Sequence, residues 1–308
     1  MKIISYKKNN TISLGVLVSD KEFVNIDKKI ELENVLCLLE NFNTYKIEVE
    51  NLIESPEVKI ENLSEVELLS PISNPSSLRD AYAFRQHVET SRKNRGLPMI
   101  KAFDNFPVYY YSNHNSIIGP GDINIDKKIS EKLDYELEVA IIIGKKGINI
   151  SASDADKYIA GFTIMNDFSS RKIQLDEMKL NLGPAKGKDF GTALGPYITT
   201  IDQISNRAIS TKNGNKYDIP LTAYLNGDLL SSDNLKNMNW TFAQIIERIS
   251  CGTHIYPGDV IGSGTCATGC LYELNSYPDA EERWLQHNDS IKIKAGVLGV
   301  LKNTIKVI

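Results

Sequence analysis

The segment that most constrains the fold is residues 133–144, LDYELEVAIIIG, in which acidic residues lead directly into an apolar, β-branched run. This pattern predicts a β-strand, and the alternation of side chains along a strand places Asp134, Glu136 and Glu138 on one face. A buried charge requires a partner or a metal ion. The strand is therefore either an acidic edge that faces water or half of a site for Mg²⁺, Mn²⁺ or Ca²⁺, which prefer oxygen ligands.

Composition excludes several classes of protein. The 308 residues carry a net charge of −4, which provides no electrostatic attraction to nucleic acid or to an anionic membrane. No apolar run approaches the ~20 residues that would span a bilayer, and the first residues lack the apolar core of a signal peptide. The four cysteines form no CxxC pair, which is typical of reduced thiols. We therefore expect a cytoplasmic protein.

Local composition divides the chain into three regions. Residues 1–70 show short alternating strands and a helical spacing over residues 30–41, which predicts a small N-terminal α/β domain. Residues 71–78 contain two prolines and three serines, which predicts a linker. Strands outnumber helices after residue 105, so we expect an α+β, mainly β, catalytic domain over residues 79–308.

One predicted helix carries the best candidate for a general base. Ser77 and Gly96 are typical N-terminal and C-terminal capping residues, and they predict a helix over residues 78–95. Asp80 and His87 would then lie on one face, two turns apart. A histidine alone on a helix is more often structural than catalytic. A nucleophile elbow of the G-x-S-x-G type is absent, which disfavours a Ser-His-Asp hydrolase.

A second group of polar residues follows the acidic strand. Asp167 lies where a predicted strand turns into a helix, on which Arg171 and Gln174 share a face. This group predicts either a metal and anion site or a helix cap with an arginine in solvent. The next loop lacks phosphate-loop spacing, yet Lys188 can supply positive charge to an oxyanion. Glu273 lies in an apolar segment, predicted as a strand, where its charge needs a partner.

Four motifs occur in order along the chain. They are LDYELEVA at 133–140, MNDFSSRKIQ at 165–174, LGPAKGKDFGT at 182–192 and YPGDVIGSGT at 256–265. Together they resemble the motifs of the fumarylacetoacetate hydrolase family, over roughly residues 71–308. The pattern departs from the family at two positions that we expect to be peripheral. These are Phe168 and Lys172. The resemblance implies a distorted β-roll as catalytic domain, usually dimeric.

The resemblance assigns roles to twelve residues. One divalent cation, Mg²⁺ or alternatively Mn²⁺ or Ca²⁺, would be held by Asp80, Glu136, Glu138 and Asp167. The catalytic residues would be His87 as general base, Glu273 as its orienting partner, and Lys188, Arg171 and Gln174 for anionic charge. The substrate would also contact Tyr82, Tyr110 and Thr265.

The resemblance also implies an activity. It is the metal-dependent hydrolysis of a C–C bond in a β-diketo acid, of fumarylacetoacetate or acylpyruvate type, by water that His87 and Glu273 activate. The alternatives are a lyase of the same family, acting as an oxaloacetate decarboxylase or a 2-keto acid hydratase or dehydratase, and a non-catalytic binding protein. Hydrolysis is favoured because Thr90, not a glutamate, lies three residues after His87. Arg92 and Arg95 are both candidates for contact with the distal part of the substrate.

Overall fold

The fold is that of a computed structural model, which describes residues 1–27, 30, 32, 34–277 and 279–308. Its strands are β1 (Lys2–Lys8), β2 (Thr11–Leu17), β3 (Glu22–Asn25), β4 (Ile60–Asn62), β5 (Glu67–Leu68), β6 (Ser77–Ala81), β7 (Tyr109–Ser112), β8 (Ile117–Ile118), β9 (Gly121–Ile125), β10 (Leu133–Asp134), β11 (Leu137–Ile143), β12 (Gly147–Ile148), β13 (Ile159–Asp167), β14 (Ser169–Ser170), β15 (Thr192–Thr200), β16 (Ala208–Thr211), β17 (Gly214–Tyr217), β18 (Pro220–Leu225), β19 (Asp228–Asn234), β20 (His254–Ile255), β21 (Asp259–Gly262), β22 (Ser290–Ala295) and β23 (Val300–Val307). Its α-helices are α1 (Val35–Glu40), α2 (Phe42–Glu54), α3 (Arg85–Lys93), α4 (Ala152–Ala155), α5 (Arg171–Met178), α6 (Phe242–Ser250) and α7 (Leu271–Leu274).

Two sheets build most of the molecule. The larger runs β4-β3-β2-β1-β15-β13-β11-β21-β6-β7, with β5 paired to β1 and β8 to β15, and the smaller runs β19-β18-β22-β23-β9. The predicted α+β, mainly β, class is confirmed. Within the described residues, no helix is both long enough and apolar enough to cross a membrane.

Strand β11 is buried on both faces, which explains its continuous apolar run. Leu137, Val139 and Ile141 pack in the core that also contains residues of the smaller sheet. Ala140 and Ile142 pack in a second core, which helices α1 and α2 cover. Glu138 therefore lies on the same face of β11 as the second core. Its side chain is fully buried there, away from solvent.

The acidic stretch is not one continuous strand, as predicted, but two. β10 ends at Asp134 and β11 begins at Leu137, because the two residues between them are held by side chains from elsewhere. The amide of Glu136 donates to Oδ1 of Asn166 at 3.0 Å, and the hydroxyl of Tyr135 lies 2.8 Å from that of Ser231. The interruption turns Glu136 out of the ladder and toward the site described below.

The prediction of one helix over residues 78–95 is wrong for the first part of that range. Residues 77–81 form strand β6, which pairs in parallel with β21, and only Arg85–Lys93 are helical. The backbone polar groups of β6 form hydrogen bonds with the edge of β21. Buried Arg79 also forms a 3.2 Å ion pair with Asp259 of β21. Such a long-range partner overrides local capping signals. Glu273 was likewise predicted in a strand and lies in the short helix α7 instead.

The N-terminal segment continues the larger sheet. Lys2 and Ile3 of β1 pair with β15, so the first strands join the strands that carry the site. The predicted division at residues 70 and 78 stays a prediction, although Ser77 of the linker lies within β6. Of the helix predicted over residues 30–41, the structure shows α1, and residues 31 and 33 lie outside the described residues. Helix α2 was not predicted.

Candidate active site

Four acidic residues converge at one end of the larger sheet. Asp80 lies in β6, Glu136 precedes β11, Glu138 lies within it, and Asp167 ends β13. The site therefore extends across neighbouring strands of the path β13-β11-β21-β6. All four residues are buried, with at most 4% of their surface exposed.

Three of these carboxylates form a cage. Asp80, Glu136 and Asp167 each offer an oxygen within 4.8 Å of the other two, which suits a single cation. Glu138 is not part of that compact group. Its Oε1 accepts a 3.2 Å hydrogen bond from Thr265, while its Oε2 is buried without a donor among the described residues. The structure thus brings together three of the four predicted ligands and places Glu138 beside them with a free ligand atom.

The electrostatics of the cage show an excess of negative charge. Burial, with the added repulsion of Asp167, raises the pKa of Asp80 to about 7. Burial and the neighbouring carboxylates raise the pKa of Glu138 well above its ordinary value. Burial also opposes ionisation of Glu136, but Lys188 and Arg171 prevail and lower its pKa to about 2. A divalent cation would relieve the repulsion, and all-oxygen donors suit a hard ion, so the residues fit the predicted metal.

Lys188 and Tyr110 close one side of the cage. The ammonium group of Lys188 donates to Asp167 at 2.8 Å and forms a shorter bond to Glu136. Burial alone would lower the pKa of Lys188, but Asp167 and Glu136 raise it, so its charge persists. The hydroxyl of Tyr110 donates to Asp167, and Thr192 donates to the other oxygen of Asp167 at 3.2 Å.

Arg171 closes another side. Its Nε donates to Asp134 at 2.8 Å, its Nη2 to Glu136 at 2.8 Å and its Nη1 to Gln174 at 2.9 Å. The predicted shared face of Arg171 and Gln174 is confirmed, and the arginine is buried rather than exposed to solvent. Asp134, which the sequence left without a role, also accepts the backbone N–H group of Leu271 at 2.8 Å.

His87 is paired with Glu273. Nδ1 of His87 lies 2.5 Å from Oε1 of Glu273, and both side chains are buried. Oε2 of Glu273 accepts the amide of Thr268 at 3.1 Å, and the thiol of Cys270 lies 3.7 Å from Oε1. Because Glu273 engages Nδ1, Nε2 is the nitrogen of His87 left for proton transfer.

A family comparison agrees with this constellation. The family described as fumarylacetoacetate (FAA) hydrolase C-terminal matches residues 77–306, about three quarters of the chain. The chain belongs to the fumarylacetoacetate hydrolase family. The match begins at β6, which carries Asp80, and includes every element that contributes to the site.

Proteins similar to this chain have differing names. Fumarylacetoacetate hydrolase domain-containing protein 2 of Pongo abelii is 30% identical over 79% of this chain and 70% of its own length. Oxaloacetate tautomerase YisK of Bacillus subtilis is 25% identical over 99% of this chain and 100% of its own. A solved maleylpyruvate hydrolase of Sphingobium, in complex with manganese(II) and pyruvate, shares the fold with a TM-score of 0.74 and 19% identity, over 100% of this chain and 99% of that one.

The acidic cage and the His87–Glu273 pair adjoin a cavity of about 430 Å³. Nine of the twelve predicted residues line it: Asp80, Tyr82, His87, Tyr110, Glu136, Arg171, Gln174, Lys188 and Thr265. The other three, Glu138, Asp167 and Glu273, are buried beside the residues that line the wall. The predicted set therefore surrounds one cavity.

The structure also selects between the two candidate arginines. Arg95 lines the cavity, whereas Nε of Arg92 donates to the carbonyl of Pro98, outside it. Within the described residues, Arg95 forms no ion pair. The sequence missed Tyr272, which lines the cavity with its ring 5.6 Å from the guanidinium of Arg171. Its position directly before Glu273 was the available signal.

Proposed function

We propose that the protein is a divalent-cation-dependent enzyme that forms the enolate of a 2-keto acid bearing a second carboxylate. One observation carries the proposal. The cavity is lined by a buried histidine oriented by a glutamate, by two buried cations and by carboxylates of an acidic cage. Proton abstraction next to a carbonyl needs this combination of a base and fixed positive charge.

A divalent cation would be held by Asp80, Glu136 and Asp167, with Oε2 of Glu138 as a further donor. When bound, such an ion supplies Lewis-acid polarisation of the keto oxygen. Mn²⁺ accompanies pyruvate in the maleylpyruvate hydrolase structure, which supports a divalent ion here. Mg²⁺, Mn²⁺ and Ca²⁺ all accept these oxygen donors.

His87 moves the proton. Nε2 takes it from the carbon next to the keto group, the electron pair of the broken C–H bond forms a C=C bond, and the π pair of the C=O bond moves onto the keto oxygen. Glu273 accepts a hydrogen bond from Nδ1 and stabilises the positive charge that the ring gains. Lys188 and Arg171 offset the negative charge on the oxygen. Returning the proton to that oxygen yields the enol.

Arg95 defines the substrate class. Its guanidinium lies on the cavity wall without an acidic partner among the described residues, 4.0 Å from the sulfur of Met178. Arginine binds carboxylates through paired N–H donors. We infer that Arg95 binds a distal carboxylate while Arg171 and Gln174 face the keto acid, so a dicarboxylic keto acid fits the cavity.

Two reactions that pass through an enolate are candidates. Oxaloacetate tautomerisation is supported by the name of the full-length relative YisK. C–C bond hydrolysis of a β-diketo acid is supported by the His87–Glu273 pair, which can instead take a proton from water so that hydroxide attacks a carbonyl. The C–C bond then breaks, and the released carbanion takes the proton back. None of the three related proteins reported above carries decarboxylase or hydratase in its name, so a lyase is not proposed.

Product analysis tests the proposal. Oxaloacetate, acetylpyruvate and fumarylacetoacetate are incubated with the protein and Mg²⁺ or Mn²⁺, while enol absorbance and NMR identify products. We expect faster keto–enol exchange of oxaloacetate or cleavage of a diketo acid. His87→Ala should lower kcat by about a hundredfold or more, with Mn²⁺ binding retained by calorimetry, whereas His254→Ala, at an exposed histidine, should not. Full activity of His87→Ala would contradict the assigned base.

A further inference from the structure

Glu177, in the last turn of α5, holds a neighbouring loop. Its Oε2 accepts the backbone N–H groups of Ala185 at 3.0 Å and Gly187 at 3.1 Å, and its Oε1 accepts that of Lys186 at 2.7 Å. These bonds lower the pKa of Glu177 against the opposing effect of its partial burial. Charge-assisted hydrogen bonds of this kind are stronger than neutral ones. Three successive loop residues are thus bound to one side chain.

The same loop packs tightly on α5 at Gly187. The carbonyl of Gly187 accepts the amide of Ser170 at 2.9 Å, and a Cβ atom at Gly187 would lie 2.7 Å from the backbone nitrogen of Gln174. Lys188 follows directly. The bonds of Glu177 therefore fix the backbone that presents Lys188 against the helix that presents Gln174.

Residues 178–184, here named the strap, lie between these two fixed points. Asn181 and Gly183 adopt left-handed backbone angles, with φ of 60° and 97°, so the chain reverses there. Leu180 and Leu182 are 80% and 90% exposed. Five strap residues also line the cavity: Met178, Asn181, Leu182, Gly183 and Pro184. The strap is thus an exposed segment over the cavity, held at its base.

We propose that Glu177 is a positioning residue that clamps the base of the strap and fixes Lys188. The inference rests on the proposed function, because it assigns substrate selection to the strap. Met178 and Leu182 offer an apolar wall, and Met178 contacts Arg95. A substrate whose carbon chain joins its keto acid to a distal carboxylate at Arg95 would pass along that wall. A shorter dicarboxylic keto acid such as oxaloacetate would contact less of that wall.

Two variants test the clamp. Glu177→Gln keeps the shape of the side chain but replaces one acceptor with an N–H donor that faces backbone donors, and Glu177→Ala removes all three bonds. Asp176→Asn is the control on the same helix, because Asp176 pairs with Lys172 and Lys179 at the surface. Glu247→Gln is a control for a carboxylate that accepts a backbone amide elsewhere, that of Ala152 at 2.9 Å.

Trypsin cleavage after Lys179 and Lys186, followed by mass spectrometry, reports the clamp without any substrate. Both Glu177 variants should be cleaved about tenfold faster than the controls, because local opening exposes the strap. Unchanged cleavage of both variants would overturn the clamp. Unchanged thermal unfolding would show that faster cleavage is local.

Kinetics report the consequence for selection. In both Glu177 variants kcat should fall about tenfold for every substrate, because Lys188 shifts. KM should rise more for fumarylacetoacetate than for oxaloacetate, and Mn²⁺ affinity should not change. An equal fold-change in KM for the two substrates would overturn the selecting role of the strap. A wild-type protein inactive on all these acids would contradict the proposed function, while the cleavage experiment would still decide the clamp.

Discussion

The three acids of the first motif have three different environments, although they are spaced evenly in sequence. Glu136 lines the cavity between Lys188 and Arg171. Glu138 is buried beside Asp80, and one of its oxygens has no hydrogen-bond donor in the part of the chain that the structure describes. Asp134 accepts hydrogen bonds from Arg171 and from the first two backbone amides of α7. That helix carries Glu273, the partner of His87. Asp134 therefore connects Arg171 to the helix that carries the partner of His87, the proposed general base.

Substitutions of these acids separate the environments. Glu136→Ala should weaken Mn²⁺ binding by about a hundredfold or more, because it removes a proposed ligand and takes one of the two carboxylate partners from each of Lys188 and Arg171. Asp134→Asn should change Mn²⁺ affinity by less than about tenfold. It should lower kcat, since Arg171 and α7 lose a shared anchor. Calorimetry and steady-state kinetics measure both effects. An equal loss of Mn²⁺ affinity in the two variants would contradict the distinction.

At the scale of elements, the pairing of β21 with β6 brings Asp80 into the site. Gly262 of β21 lies in register with Asp80, and a Cβ atom there would overlap a carboxylate oxygen of Asp80 and approach the sulfur of Met165 to 2.9 Å. The close approach of Asp80 requires glycine at position 262. The backbone angles of Gly262 do not require it, because they are ordinary.

Gly262→Ala should therefore displace Asp80. We expect Mn²⁺ affinity to fall by about tenfold or more, because substitution of residues that orient metal ligands typically costs that much. Gly252→Ala serves as the control, because that turn glycine is surrounded by open space and lies outside the site, although its positive φ makes alanine slightly unfavourable. Undiminished Mn²⁺ binding by Gly262→Ala would show that Asp80 is not a ligand.

Helix α2 is attached to the sheet through Asp202. The carboxylate accepts hydrogen bonds from the ammonium group of Lys46 in α2 at 2.9 Å and from the hydroxyl of Thr200 in β15 at 2.5 Å. Partial burial opposes its ionisation, but Thr200 and Lys46 prevail and lower its pKa from 3.8 to about 2. The folded state thus holds the ionised form, and this stabilisation is present above pH 3.8 and is lost as the pH falls toward 2.

Asp202→Asn should reduce the free energy of unfolding by about 1 kcal/mol at pH 7, after allowance for solvent screening. The difference from the wild type should disappear near pH 2. Urea unfolding at both pH values measures it. Asp154→Asn, which removes an ion pair at an exposed helix, should have a much smaller effect. A difference that does not depend on pH would contradict the assignment.

At the scale of the whole molecule, the N-terminal strands and the site strands share one sheet and one core. Ile3 and Val16 pack in the same cluster as Ala140 and Ile142 of β11. Glu138 lies on the face of β11 that this cluster covers. Burial of Glu138, beside the acidic cage, thus depends on strands far from it in sequence.

Removal of residues 1–70 should consequently prevent cooperative folding of the remainder. It would expose the β15 edge and the apolar face of β11 to water, at a cost of roughly 25 cal/mol for each Å². Thermal unfolding and Mn²⁺ calorimetry of residues 71–308 test this outcome. A truncated chain that unfolds cooperatively and binds Mn²⁺ would instead support two independent domains.

The sequence alone indicated the family, because four motifs follow one another in the family's order, and through that resemblance it predicted the set of site residues. It also indicated that the acidic strand runs into a buried position. Only the tertiary structure placed Asp80 in a strand rather than a helix, moved Glu138 out of the compact cage, and selected Arg95 over Arg92. The reason is physical. Local periodicity reports which residues are apolar, whereas strand pairing, and the cavity that results, depend on contacts between residues more than a hundred positions apart.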